Sequence, residues 1–551
     1  MGDGEGLFAR STRYVSETDA ARYRERGYWS ASETVPSQVA RWARERPGVP
    51  AVVDDLGGRF TYAELHDASS RLAAALVARG VRAGDVVGIQ LPNRAEASIT
   101  AIAVEKAGAI VCPLVPAYRT NELLHICAKT GMRVLFSPGT YRGHDHDSMS
   151  ADLVDQLDTL ELVVSIGTSD TGRGIVEFDA LLDDGADARR FDEPALDPDA
   201  LAGVLFTSGT ESTPKAILHS HNTLLAHARA LVTMLDLTSD DGVFMASPVG
   251  HGTGYGFGIR LAAFLGSTLA LQVQWDPAKA AKAIREYGSV YTHGATPFVM
   301  DMLRLPDDER NLAPLRYFVT GGAAVPPGTA TRVHDECGCH LLRLYGQTEG
   351  FMSTLNRPTD AVEKIDTTDG RPVDGVEVRA VDDDGNDVPV GTPGNCLYRG
   401  PHRCVGFLDD EERAAASFTA DGWFRAGDLV SVDQDGFVKV AGRTKEVINR
   451  GGYKYSPREV EDLLSLHPHI RLVAIVAMPD ERLVERACAF VIPEGEHHVT
   501  VEELGGFLGE RSVATYKWPE RVEIVDTFPT TASGKVQKHV LGERFRSGSA
   551  G

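Results

Sequence analysis

The chain has 551 residues, too many for one hydrophobic core and enough for roughly three or four lobes at about 150 residues each. Fifty-six Lys plus Arg stand against 78 Asp plus Glu, a net charge of −22 that argues against nucleic acid or an anionic membrane as the main partner. Seven scattered cysteines, an odd number, suit a reducing compartment better than a disulfide framework. Neither the first residues, MGDGEGLFARSTRYVSE, nor the short apolar runs further on reach signal-peptide or membrane-span length, so a cytoplasmic protein is expected.

In chain order, Gly27 to Gly80 reads as a helix, a short strand pair (AVVDD, RFT) and a second helix that Gly80 terminates. VGIQLP reads as a buried strand, AEASITAIAVEKAGA as a helix, and AIVCPLVP, RVLFSP and ELVVSIG as further strands. Alternation of that kind predicts parallel α/β layers. GHDHDSM (143–149) reads as a solvated loop, and the acidic run Asp183 to Asp199 as a surface linker.

Gly203–Phe206 is the strand that delivers LFTSGTESTPKAILHSH (205–221), with a helix expected over Asn222–Leu235. Hydroxyls, a glycine and a lysine are what a chain uses to hold phosphate oxygens. Lys215 lies between Pro214 and Ala216, so this is not a Walker A loop. By itself the stretch is either another kind of phosphate loop or an ordinary polar turn between a strand and a helix.

A second α/β set runs from Val243 to about Tyr345. Within it HDECGCH (334–340) admits a zinc or copper site, or a surface helix running into the strand HLLRLYG; its spacing lacks the C-x₂-C pair of most structural zinc sites. After Gly370 the alternation and the DG turns predict β-hairpins. Mixed α/β returns with the helix PREVEDLLSLHP, after a boundary near Gly442–Lys445.

The phosphate-loop candidate is followed by YGQTEG (345–350), GWFRAGDL (422–429), VAGRTKEVINRGGYKYSPREVE (440–461) and TASGKVQK (531–538). In order and spacing these motifs resemble the adenylate-forming superfamily of acyl- and aryl-CoA ligases, nonribosomal peptide adenylation domains and luciferases. ARYRERGYW and PAYRTNEL are closest in character to aryl-acid AMP ligases and to cyclohexanecarboxylate- or medium-chain-type CoA ligases. The resemblance implies an α/β fold: a large N-terminal domain of layered α/β subdomains plus a β-rich subdomain (1–443), then a small mobile α+β domain (444–551).

It also implies the chemistry: a carboxylate attacks the α-phosphorus of ATP, and acyl-AMP then passes its acyl group to a thiol. Thr207, Ser208, Gly209, Thr210 and Lys215 would cradle the β- and γ-phosphates. Thr348 would contact the α-phosphate and Glu349 would hold Mg²⁺, a hard cation that prefers carboxylate oxygen. Gly321, Gly322, Ala323 and Ala324 would wall the adenine, with Tyr345, Gly346 and Gln347 beside it. Asp428 would accept the ribose hydroxyls, with Arg443 nearby. Lys535 would be the catalytic lysine, Lys445 the hinge, and Gly451 with Gly452 the rim of a thiol tunnel. The acid pocket falls to Val249, His251, Gly252, Phe298 and Gly321, with His251 gating entry. CoA is the first choice of acceptor; a carrier-protein phosphopantetheine, an amine, or activation of another oxyanion such as nitrite are alternatives, in a monomer or homodimer. The loop departs from the family in its Glu211-Ser212-Thr213 run, where glycines are usual, and Glu211 is expected to face solvent.

Overall fold

The structure is a computed structural model that describes residues 15–167, 175–185, 191, 193–207, 214–323, 325–531 and 536–546. Ser208, Gly209, Thr210, Glu211, Ala324 and Lys535 lie outside the described residues.

Two large sheets carry the first 400 or so residues. An eight-stranded sheet runs Gly406–Phe407, Lys215–Ser220, Leu201–Thr207, Ile110–Pro113, Val86–Ile89, Val134–Ser137, Leu162–Ser165, Ile175–Glu177. From Leu201–Thr207 onward it is parallel. A nine-stranded sheet runs Arg371–Pro372, Thr354–Leu355, His340–Tyr345, Tyr317–Gly321, Ser289–Gly294, Gly242–Met245, Leu269–Leu271, Pro50–Asp54, Arg59–Thr61. Its interior strands, from His340–Tyr345 to Pro50–Asp54, are parallel.

The helix Ala95–Lys106 is buried along its whole length, because strands of both sheets and the helix Tyr62–Ala78 surround it. That explains a sequence with no amphipathic face. Tyr62–Ala78 itself begins in a capping box of Thr61 and Glu64, which satisfies its first backbone amides, and ends just before Gly80.

Beyond residue 370 four antiparallel strands, Glu377–Val381, Gly394–Arg399, Phe424–Val432 and Val438–Arg443, form a separate sheet over its own core. A short turn, Thr444–Glu446, leads to a five-stranded sheet built on the long pair Ile470–Asp480 and Val484–Pro493, covered by Pro457–Leu464 and Val501–Glu510. Among the described residues no helix is long and apolar enough to cross a membrane.

Two expectations are corrected. Lys215–Ser220 is a strand pairing antiparallel with Leu201–Thr207, so the phosphate-loop candidate lies between two strands in the chain rather than between a strand and a helix; the helix follows at His221–Met234. GHDHDSM is not a solvated loop. Asp145 caps the helix His146–Val154, and His146 is fully buried, its Nδ1 3.4 Å from Gln90 Oε1.

Candidate active site

Parallel strands present their carboxyl ends to one edge, and that edge is where open α/β sheets place their ligands. Here the edge gathers Gly321 and Gly322 from one strand and Tyr345 and Gly346 from its neighbour, with Gly321 opposite Leu344 in register. The four-stranded sheet closes over them. Tyr345, buried, donates its hydroxyl to Asp428 Oδ2 at 2.8 Å, and Gln347 Nε2 reaches the Ala426 carbonyl at 3.5 Å. Arg443 lies across the strand pair from Asp428, Nε to Oδ1 3.5 Å. Burial together with the adjacent Asp428 carboxylate pushes the Tyr345 phenol far up, so it stays a donor.

Glu349 is 4% exposed. Its nearest cation is the Lys215 ammonium, 3.8 Å away, at the start of the hairpin's return strand; Thr207 pairs with Lys215 in register. Burial raises the Glu349 carboxyl and Lys215 only partly offsets this. Such a buried carboxylate is left short of positive charge, and its hard oxygens would suit Mg²⁺.

The loop carrying Thr348 and Glu349 is pinned by residues that sequence reasoning missed. His219 Nε2 donates to the Thr348 carbonyl at 2.8 Å, and the Cys404 amide donates to the Glu349 carbonyl. Burial drives the His219 imidazole down to about 4, so at neutral pH it is an uncharged donor. Phe351, with φ +51°, lies edge-on to His219 and stacks on His227 at 4.6 Å. His219 falls in the 205–221 stretch and Phe351 just after YGQTEG, but nothing in either stretch marks them as partners; only the fold brings them together.

The pocket candidates divide. His251 Nδ1 accepts the Thr253 amide at 3.2 Å, capping a helical stretch that passes through a π-helical turn at Tyr255–Arg260. Its glycines permit close packing: a Cβ on Gly256 would stand 2.4 Å from Phe351 Cε1. The buried Asn93 orients the approach, accepting the Val249 amide at 2.8 Å and donating to the Ser247 carbonyl at 3.0 Å. Gly252 faces Leu205 and Phe351, and Phe257 packs on His293 at 4.4 Å. Phe298 is elsewhere. It stacks on Trp275 at 4.2 Å and lines an apolar cavity with Thr292, whereas His293, one residue on, points to the opposite face of the sheet.

Gly451 and Gly452 occupy the two-residue turn between Ile448–Arg450 and Tyr453–Tyr455, at φ +62° and +94°. Two successive left-handed positions make this the turn that matches strand twist, and glycine takes them without strain. Lys445 lies in the turn Thr444–Glu446. Lys538, three residues beyond Lys535, places its ammonium 2.8 Å from Glu461 and 3.3 Å from Glu446, which ties the end of that motif to the turn.

HDECGCH is a helix, Thr329–Cys337, running into the strand His340–Tyr345; Cys337 and Cys339 are buried, with their thiols pushed up by burial. Among the described residues no metal-ligand group occurs there.

A family model described as AMP-binding enzyme matches residues 39–408, and one described as AMP-binding enzyme C-terminal domain matches 459–535. The chain is 34% identical over 541 residues to a medium-chain fatty-acid–CoA ligase of Escherichia coli, covering 97% of this chain and 95% of that protein. It is 32% identical to a 2,3-dihydroxybenzoate-AMP ligase of Bacillus subtilis, covering 95% and 96%. The crystal structure of an anthranilate CoA ligase in complex with anthranoyl-AMP superposes with a TM-score of 0.86 at 24% identity, covering 95% and 99%.

Proposed function

The chain belongs to the AMP-binding enzyme family, and from that membership we propose that it joins a carboxylic acid to CoA through an acyl-adenylate. The observation that carries the reading is the convergence of Asp428, Tyr345, Arg443, Glu349 and Lys215 at the carboxyl edge of a parallel sheet, beside the phosphate hairpin.

Both reactants are anions, so the site has to offset charge and align atoms before any bond forms. Lys215 brings a mobile positive charge toward the β- and γ-phosphates, and Thr207, Ser208, Gly209 and Thr210 supply the hairpin's hydroxyls and amides. Thr348, its carbonyl fixed by His219, would contact the α-phosphate. Glu349 would hold Mg²⁺, which when bound supplies charge neutralisation along the triphosphate. Asp428 keeps one carboxylate oxygen on the Tyr345 hydroxyl and offers the other to the ribose. Gly321, Gly322, Ala323 and Ala324 would wall the adenine, with Tyr345, Gly346 and Gln347 beside it.

The acid oxygen then attacks the α-phosphorus and pyrophosphate leaves; Lys535 bridges the incoming carboxylate and the α-phosphate. CoA sulfur attacks the acyl carbon and AMP leaves. The acid enters past His251, with Val249, Gly252 and Gly321 lining its path. We place the functional division at 443/444, with Lys445 as hinge and Gly451 and Gly452 beside the thiol's approach. A second reading, transfer to a carrier-protein phosphopantetheine, is favoured by the 32% identity to a Mycobacterium tuberculosis relative named as a salicyl-AMP ligase / salicyl-S-ArCP synthetase.

The experiment separates the half-reactions. Lys535→Ala should abolish acid-dependent ATP–pyrophosphate exchange while thioester formation from preformed acyl-AMP persists. Equal loss in both half-reactions would overturn the assignment of Lys535 to adenylation alone.

A further inference from the structure

Far along the chain from the nucleotide residues, three imidazoles converge on one carboxylate. Glu503 Oε1 lies 2.8 Å from His469 Nδ1, 3.2 Å from His497 Nε2 and 3.5 Å from His467 Nε2. The donor atoms of His467, His469 and Glu503 all lie within 4.8 Å of one another. The His469 and His497 rings are stacked, 3.5 Å between centroids and 29° between planes. Bonds of 2.0–2.1 Å in tetrahedral geometry set ligand atoms about 3.3 Å apart, which is the spacing found round Glu503.

The scaffold is regular. His469 immediately precedes the strand Ile470–Asp480, and its carbonyl accepts the Glu494 amide at 2.9 Å. Glu503 stands in the first turn of Val501–Glu510, where its amide is capped by Thr500 Oγ1 at 3.2 Å. Its Oε1 is the atom on which the His469 Nδ1 contact closes, at 2.8 Å.

The histidines are not equivalent. His467 is buried, and its Nδ1 accepts the His469 amide at 3.2 Å, which leaves its proton on Nε2, directed at Glu503. It holds the carboxylate in place. His469 is partly exposed and His497 exposed; each can swap tautomer and turn its ring out of the stack, so that the two in-plane lone pairs converge beside Glu503.

The geometry points to a binding site for a divalent transition cation of the zinc class, ligated by His469 Nδ1, His497 Nε2 and a Glu503 oxygen, with His467 positioning the carboxylate. Imidazole nitrogen plus one carboxylate suits Zn²⁺ and its neighbours rather than Mg²⁺ or Ca²⁺. The exposed side of the cluster leaves the fourth position to water. The site joins the 467–469 turn, the loop before the helix and the helix itself, so a bound ion is a clip on this part of the fold.

The test is zinc titration of the full chain after EDTA stripping and dialysis, in competition with a chromophoric chelator. The expected result is one tightly bound Zn²⁺ per chain, and Co²⁺ in its place giving visible d–d bands. His469→Ala, His497→Ala and Glu503→Gln should each weaken zinc at least about tenfold, and His467→Ala about tenfold through the carboxylate it holds. Thermal midpoints should rise with zinc in the parent and not in His469→Ala, while midpoints in EDTA and far-UV circular dichroism match, showing that the variants fold. Absence of stoichiometric binding overturns the proposal. So does zinc retained by the His469→Ala, His497→Ala double variant, or lost instead from Cys337→Ser, Cys339→Ser.

Discussion

At the scale of single residues the site rests on side chains whose charge state burial decides. His219, which fixes the Thr348 carbonyl, and His402, which bonds the Met352 carbonyl at 2.9 Å, are each driven down by burial to about 4, and His293 to about 3. In the unfolded chain each returns to an ordinary 6.5, so between 6.5 and 4 the unfolded state binds the protons. Their contribution to stability is therefore complete above 6.5 and is lost as the pH falls toward 4. Thermal midpoints should drop across that window, and His402→Gln should flatten the drop; an unchanged slope would take the histidines out of the account. None of this was legible beforehand. A lone histidine in sequence carries no sign of its burial, whereas Glu349, Asp428 and Lys215 each lay inside a motif whose order along the chain made them candidates.

At the scale of elements the clearest case is the contact between Ala95–Lys106 and the π-helical turn at Tyr255–Arg260. Arg260 is 0% exposed; its guanidinium meets Glu105 Oε1 and stands 3.1 Å from the Tyr255 hydroxyl, while His221 Nδ1 lies 3.2 Å from the other Glu105 oxygen. Removing one partner leaves the other charge buried, so Glu105→Ala should cost about 3–5 kcal/mol in urea unfolding. Glu105→Leu with Arg260→Met should recover most of that loss; a double variant as unstable as the single would show that packing, not charge, holds the turn. The strands and helices of the parallel layers were readable because buried strands flanked by turn residues look alike wherever they occur. The return strand Lys215–Ser220 was not, because its pairing with Leu201–Thr207 is tertiary and AILHSH runs on without a break into the following helix. The acid pocket stayed unread for a related reason: adjacent residues of one strand, Thr292 and His293, serve opposite faces, and a linear pattern does not say which face a ligand uses.

At the scale of the molecule the motifs are spread over more than 300 residues, from Leu205 to Lys538, and the fold brings the described ones from the large sheets and the four-stranded sheet together. The turn Thr444–Glu446 stands between that assembly and the last sheet, with Lys538 anchored to Glu446 on its far side. Five ordered motifs made the family legible, because their spacing reflects a shared reaction; the acid and its acceptor were not, because few residues of the pocket fall in a motif. The most direct measurement is release of AMP and pyrophosphate from Mg-ATP over aryl, alicyclic and short- to medium-chain acids, with and without CoA. The account predicts AMP, not ADP, formed only with one class of acid and faster when CoA is present. ADP as product, or AMP release indifferent to every acid, would contradict it.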